Sequence, residues 1–157
     1  MGKLKQNKKP AADTAKVADR LHSAAIHLLR RVRKQDAASG EGPARLSALS
    51  VLVFGGPMTL GQLAAAEQVR PPTMTRIVTG LERGGLARRK PDPRDARRVR
   101  IFPTGKGVRL LQRGRQRRIE YLARHLEMLD DQELCALRKA VQILEKVLEQ
   151  GEQLTDR

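Results

Sequence analysis

Apolar positions recur at helical spacing along most of the chain. From Thr14 to Lys34, the residues Val17, Leu21, Ala24, Leu28 and Val32 fall on one stripe and predict a helix. The stretch "QDAASGEGP" breaks that pattern with Gly and Pro. A short helix is predicted from Ala44 to Phe54, with Leu46, Leu49 and Val53 on one side, and "GGP" ends it at Gly55 to Pro57. Thr59 followed three residues later by Gln62 is a capping-box pattern, which places a helix from Leu60 to Glu67. The next segment, "VRPPTMTRIVTGLERGG", has Pro72 near a first helical position, where the missing N–H costs nothing, and Gly84-Gly85 as a C-cap. Between them Met74, Ile77, Val78 and Leu81 form an inward stripe, and the opposite face carries Pro72, Arg76, Thr79, Gly80 and Arg83. Two short helices joined by a tight turn, the second with a small, cationic outer face, make a helix-turn-helix pattern.

The period then changes. "LARRK" (Leu86 to Lys90) and "RRVRIF" (Arg97 to Phe102) read as short strands joined by "PDPRDA", a turn with Pro and Asp where turns prefer them. The product is a two-stranded wing directly after the second helix. Its Arg88, Arg89, Lys90, Arg94, Arg97, Arg98 and Arg100 outnumber Asp92 and Asp95. Arginine suits a narrow minor groove, where phosphates on both walls deepen the negative potential. The two aspartates have an internal use: each can pair with an arginine and stiffen the wing before binding. Thr104 is placed as the cap of a long helix reaching Leu129, with Pro103 just outside it. Leu111, Ile119, Leu122, Leu126 and Leu129 form its apolar side, and Gly114 is a weak point in its basic middle, "QRGRQRR". Asp130 and Glu133 form a second capping pattern. The last helix carries Leu134, Leu137, Val141, Leu144 and Leu148 at a 3-4-3-4 spacing like a coiled-coil seam. The first and last helices hold more apolar surface than a small reading head can cover, so a homodimer is expected to close over them.

These elements define the organisation: a basic arm over residues 1–13, one domain over 14–150, and a tail over 151–157. Within the domain the winged helix-turn-helix spans about 44–103, between dimerisation helices at about 14–34 and 104–150. The expected fold class is mainly α with a two-stranded β wing. Composition agrees: 39% of residues are hydrophobic but only 2% aromatic, so Leu, Val, Ile and Ala must build the core. The net charge of +15 changes the picture more, because such an excess repels itself and calls for a polyanionic partner. No apolar run approaches the about 20 residues of a membrane span, "MGKLKQNKKPAAD" lacks the apolar stretch of a signal peptide, and Gln6 stands where a myristoylation site needs Ser or Thr. A cytoplasmic protein without a membrane partner is expected.

Candidate chemistry is sparse. Cys135 is the single cysteine, and His22, His27 and His125 do not form a ligand set, so no metal site is expected. No motif gathers a nucleophile, base and acid, and no Gly-rich phosphate loop follows a buried strand. Neither an enzyme nor a cofactor is expected. A basic RNA- or ribosome-associated winged-helix protein is the alternative, but Tyr121 and two phenylalanines supply no stacking platform.

Taken together, "GPMTLGQLA" (Gly56 to Ala64), "TMTRIVTGLERGGLARR" (Thr73 to Arg89) and "DPRDARRVRIFPTGKG" (Asp92 to Gly107) resemble the MarR family of winged helix-turn-helix transcriptional regulators, over about Val17 to Leu148. Pro103 departs from that family's usual Leu. The resemblance implies a triangular homodimer, here through Val17, Leu21, Leu137, Val141, Leu144 and Leu148, whose recognition helices enter successive major grooves of a pseudo-palindromic operator. It implies DNA contacts from Thr73, Thr75 and Arg76, with Arg94 in the minor groove and Asp92 and Asp95 bracing the wing. The helical wheel agrees for Arg76 but sets Thr73 and Thr75 on the flanks. Thr79, Arg83, Arg97 and Arg98 complete the expected DNA-binding set. The leading expectation is a repressor. Many members of the family bind a small aromatic acid between the dimerisation helices and the reading head, so an effector is a further expected partner.

Overall fold

A computed structural model describes residues 11–92 and 95–155, with side chains for residues 13–92, 95 and 98–150. The arm's Lys3, Lys5, Lys8 and Lys9, Arg94 between the wing strands, and the side chain of Arg97 lie outside the described residues. The chain divides into two compact units, residues 1–118 and 119–157.

The first unit opens with α1 (Ala11–Arg33), which begins at Ala11 rather than at Thr14. Val32 is buried, whereas Val17, Leu21, Leu28 and Leu29 remain exposed. A 3-10 helix (Lys34–Ser39) follows where the sequence suggested only a break, and Gly40, at φ 73°, ends it. Three helices then make the reading head: α2 (Pro43–Gly55), α3 (Leu60–Ala66) and α4 (Pro71–Arg83). The sheet has three strands, not two. β1 (Met58–Thr59) pairs antiparallel with β3 (Asp95–Pro103), which pairs antiparallel with β2 (Ala87–Asp92). Two residues are too few to show alternation, and Thr59 ends β1 and caps α3 at once. The wing strands also run further than the sequence suggested. They consume most of "PDPRDA", place Asp92 opposite Asp95 beside an irregularity at Pro91/Asp92, and carry Pro103 into β3 opposite Ala87.

The core lies among α2, α3, α4 and the sheet. Leu49, Leu52, Leu63, Met74, Val78, Leu81, Leu86 and Ile101 are all essentially solvent-free. The inward stripe of α4 is the one read from its period, with Met74, Val78 and Leu81 buried and Ile77 packed against them. α2 differs. Its buried face is Ala48, Leu49 and Leu52, while Leu46 and Val53 are only half-buried. The segment is apolar nearly all round, so periodicity gave no reliable choice of face.

The first turn of α5 (Gly105–Leu126) is fixed by Thr104. Its N–H donates to Leu86 O (2.9 Å), its hydroxyl donates to Gly85 O (2.7 Å), and Gly107 N–H donates to the same hydroxyl (3.1 Å). A Cβ at Gly107 would stand 2.3 Å from the Leu86 carbonyl oxygen and 3.0 Å from a Leu49 methyl. Gly107→Ala should therefore lower stability by about 2 kcal/mol or more, since backbone must move. At Gly114, by contrast, a Cβ would meet the nearest atoms, on Arg118 and Asp36, at 3.4 and 3.6 Å, which is ordinary contact. Gly114→Ala should raise stability by about 0.5–1 kcal/mol, the helix-propensity difference. Paired thermal or urea denaturations of the two variants check both signs.

In the second unit α5 ends at Leu126 rather than Leu129. α6 (Asp131–Thr155) starts from the capping pair: Glu133 N–H donates to Asp130 Oδ1 (2.8 Å) and Asp130 N–H to Glu133 Oε2 (3.1 Å). Along α6, Leu137, Val141 and Leu148 are exposed and Leu144 is half-buried. No helix among the described residues is long and apolar enough to cross a membrane.

Candidate nucleic-acid interface

The geometry begins at Thr59. Its side chain accepts from Gln62 N–H (3.3 Å), and Gln62 Oε1 accepts from Thr59 N–H (3.0 Å), a closed capping box that starts α3. The turn to α4 passes through Gln68, which holds φ at 52°, the left-handed region that costs a residue with a Cβ about 1 kcal/mol. Gln68→Gly should be neutral or slightly stabilising and Gln68→Val should destabilise, as chemical denaturation would report.

α4 starts at Pro71 and Pro72, neither of which has an N–H, while Thr73 N–H and Met74 N–H both point back to Arg70 O (3.0 and 3.1 Å). This helix end therefore has little backbone to offer an anion, and recognition there falls to side chains. Thr73, Thr75, Arg76 and Arg83 are exposed, and Thr79 is half-buried. The Thr75 hydroxyl donates to Pro71 O (2.9 Å), so its proton is engaged within the helix and its oxygen is left as an acceptor. Gly80 does not belong to an open outer face: Arg45 of α2 lies against it, so close that a Cβ there would meet Arg45 Cδ and Nη1 at 3.0 Å. The sequence reading passed over Arg70, which is exposed at the N-cap of α4. A cation directly before Pro-Pro at a helix start was the available signal.

The wing is joined to α4 at its base. Arg89 N–H donates to Glu82 Oε1 (3.1 Å), and the Arg89 guanidinium pairs with the same carboxylate. Arg89 is thus a structural cation. So is Arg100, whose Nε lies 2.5 Å from Asp92 Oδ2 and whose Nη1 donates to Pro57 O (3.3 Å). Asp92 is only 6% exposed. Asp95 is exposed, and Arg98 Nε lies 3.8 Å from its Oδ2. Strand register puts Arg88, Lys90 and Arg100 on one face of the hairpin; Arg88 and Lys90 are exposed, as is Arg98 beside the irregularity.

On another side of the first unit, α1, the 3-10 helix, α2 and α5 enclose a cleft of about 770 Å³. Leu29, Val32, Leu110 and Leu111 supply apolar wall, and Glu41, Ser47 and the Arg118–Asp36 ion pair are polar groups on its rim. His22 is not part of its lining, nor is Arg45. Among the described residues no three His, Cys, Asp or Glu side chains gather as a metal site. His125 Nδ1 instead lies 2.7 Å from Tyr121 O, and Cys135 is exposed.

Comparison with known proteins gives this geometry its context. The MarR family model matches residues 43–99, which hold the helix-turn-helix and most of the wing. An uncharacterized HTH-type transcriptional regulator of Mycobacterium bovis, Mb0904, is 37% identical over 83% of this chain and 91% of its own. The crystal structure of transcriptional regulator Tm0710 from Thermotoga maritima superposes with a TM-score of 0.79 at 25% identity, covering 87% of this chain and 96% of that one. A MarR family protein from Bacillus stearothermophilus gives 0.70 at 26% identity, covering 89% and 98%. With the exposed face of α4, the wing pinned to it, and relatives matched over nearly their whole length, the chain belongs to the MarR family of DNA-binding winged helix-turn-helix transcriptional regulators.

Proposed function

We propose that the protein is a homodimeric repressor that binds a pseudo-palindromic duplex operator in the cytoplasm and is released by a small effector. The observation that carries this reading is the exposed Thr73, Arg76 and Arg83 on an α4 held to a cationic wing through Arg89 and Glu82. In this arrangement α4 enters the major groove and Arg76 reads a base edge, where a bidentate contact discriminates by about 1–3 kcal/mol. Thr73, Thr75 and Thr79 line the same helix, and Arg97 and Arg98 add phosphate contacts. Arg94, in the segment linking the wing strands, reads minor-groove width and charge. Apolar residues left exposed on α1 (Val17, 61%; Leu21) and on α6 (Leu137, Val141, Leu148), with the half-buried Leu144, support self-association. The mostly apolar cleft with a few polar groups supports an effector.

The test is a competition titration: labelled promoter DNA from the protein's own locus against bulk duplex and structured RNA, at several salt concentrations. Own-locus DNA should compete best. Equal competition by all three would overturn sequence-specific regulation in favour of general polyanion binding. In the same titration Arg76→Ala should relax preference at one base position in each half-site. Arg94→Ala should weaken binding without changing base preference and should lower the salt slope by about one phosphate equivalent per subunit. The opposite pattern would exchange the two roles.

A further inference from the structure

Arg45 touches two things at once. Its Nε lies 2.7 Å from Glu41 Oε2, and Glu41 lines the cleft. Its Cδ and Nη1 also lie against Gly80, in the C-terminal half of α4, within 3.0 Å of where a Cβ would be. Glu41 reaches the same helix end directly, with Oε1 3.5 Å from the corresponding point at Gly84. The carboxylate oxygen facing Arg45 is shielded from solvent, whereas the Arg45 side chain is 40% exposed. A 2.7 Å ion pair therefore holds Arg45 in place, and a donor that competes for the Glu41 carboxylate can displace it. Gly80 makes the fit possible, although glycine is otherwise disfavoured inside a helix.

We infer that the Glu41–Arg45 pair is a positioning device that carries the state of the cleft to the recognition helix. Whatever engages Glu41 from the cleft releases Arg45, and the space beside Gly80 that Arg45 fills opens. The last turns of α4 then lose a lateral support. The inference rests on α4 being the DNA-reading helix, and its first readout does not involve DNA.

The experiment is a double-mutant cycle in the full chain, comparing Arg45→Ala, Gly80→Ala and their combination, with Arg45→Lys as the conservative variant. Amide hydrogen exchange over residues 78–84 of the DNA-free protein is the primary measurement, and operator affinity with base preference is the second. Arg45→Ala should speed exchange there by about tenfold. Gly80→Ala alone should also speed it, because the new methyl presses on Arg45 and shifts it from its seat. In the combination the methyl occupies the vacated space, so protection should return to within about twofold of wild type. Arg45→Lys, which keeps a cation for Glu41, should change exchange less than Arg45→Ala. Independent, multiplying effects of the two alanine substitutions, or unchanged exchange in Arg45→Ala, would overturn the inference. A wild-type protein that shows no preference for any duplex would overturn the DNA-reading role, and the exchange cycle would still decide the coupling.

Discussion

Replacing Leu137 and Leu144 together by lysine is expected to convert the protein to a monomer and to remove most of its operator affinity. Leu137 and Leu144 belong to the seam of α6 that also holds Val141 and Leu148, and most of that seam is exposed in a single chain. In the proposed dimer those positions would be covered, and a lysine there would be buried without a partner. Leaving one such charge uncompensated costs about 3–5 kcal/mol, and the two-fold axis repeats each substitution. The second consequence follows from linkage. A dimer that holds one half-site presents its other reading head at high effective concentration, a gain of about 10²–10⁴ in affinity that a monomer forfeits. Sedimentation at micromolar concentration checks the first effect, and titration of the same samples with operator DNA checks the second. Circular dichroism confirms that α6 stays helical, and Cys135→Ser, at an exposed α6 position, should associate like wild type. A double mutant that still sediments as a dimer would rule out this interface.

Arg100→Met is expected to be the most damaging single change in the wing. Asp92 is buried at the end of β2, and Arg100 gives it a charge-assisted partner at 2.5 Å while also reaching Pro57 O. Methionine keeps the aliphatic stem and removes the charge, so the buried carboxylate loses a close counter-ion. Because Arg100 is itself partly exposed, the full cost of a broken buried pair is reduced, to about 2 kcal/mol. The wing should lose order and operator binding should fall on the order of tenfold, the equivalent of about 1.4 kcal/mol. Asp95→Ala supplies the contrast. Asp95 is exposed, and exposed ion pairs are worth little, so stability should change by no more than about 1 kcal/mol. Equal losses from the two variants, measured by urea denaturation and duplex titration, would mean that bracing is spread over the hairpin rather than concentrated at Asp92.

The contrast between these aspartates shows how far the sequence could be read. Both were legible as partners for arginines, since carboxylates in so cationic a hairpin need one. Which of them is buried was not legible, because the register around the irregularity at Pro91/Asp92 does not follow from local pattern. The core face of α4 was readable because Met74, Val78 and Leu81 keep a clear 3.6-residue period against a polar background. α2 gave no such contrast. Gly80 illustrates a different limit. A small residue on the polar side of a helix looks like room for a DNA backbone, and only the tertiary structure shows that Arg45 already fills it. The capping boxes at Thr59 and Asp130 were legible because each is a contact between residues three apart. The 3-10 helix and the cleft beside it depend on contacts such as Arg118 with Asp36, which no local pattern announces.

The clamp at Thr104 bears on how this protein can diverge. Thr104 N–H bonds to Leu86 O, so the segment 87–103 leaves and re-enters the body at adjacent points. Beyond its core-facing base at Ala87 and Ile101, the outer hairpin is in effect a loop with fixed ends. Extending such a loop raises its closure entropy only slowly, by about 0.6 kcal/mol per doubling of length. The outer wing can therefore be lengthened, shortened or recharged while Gly85, Leu86, Thr104 and Gly107 keep the helices on either side in register.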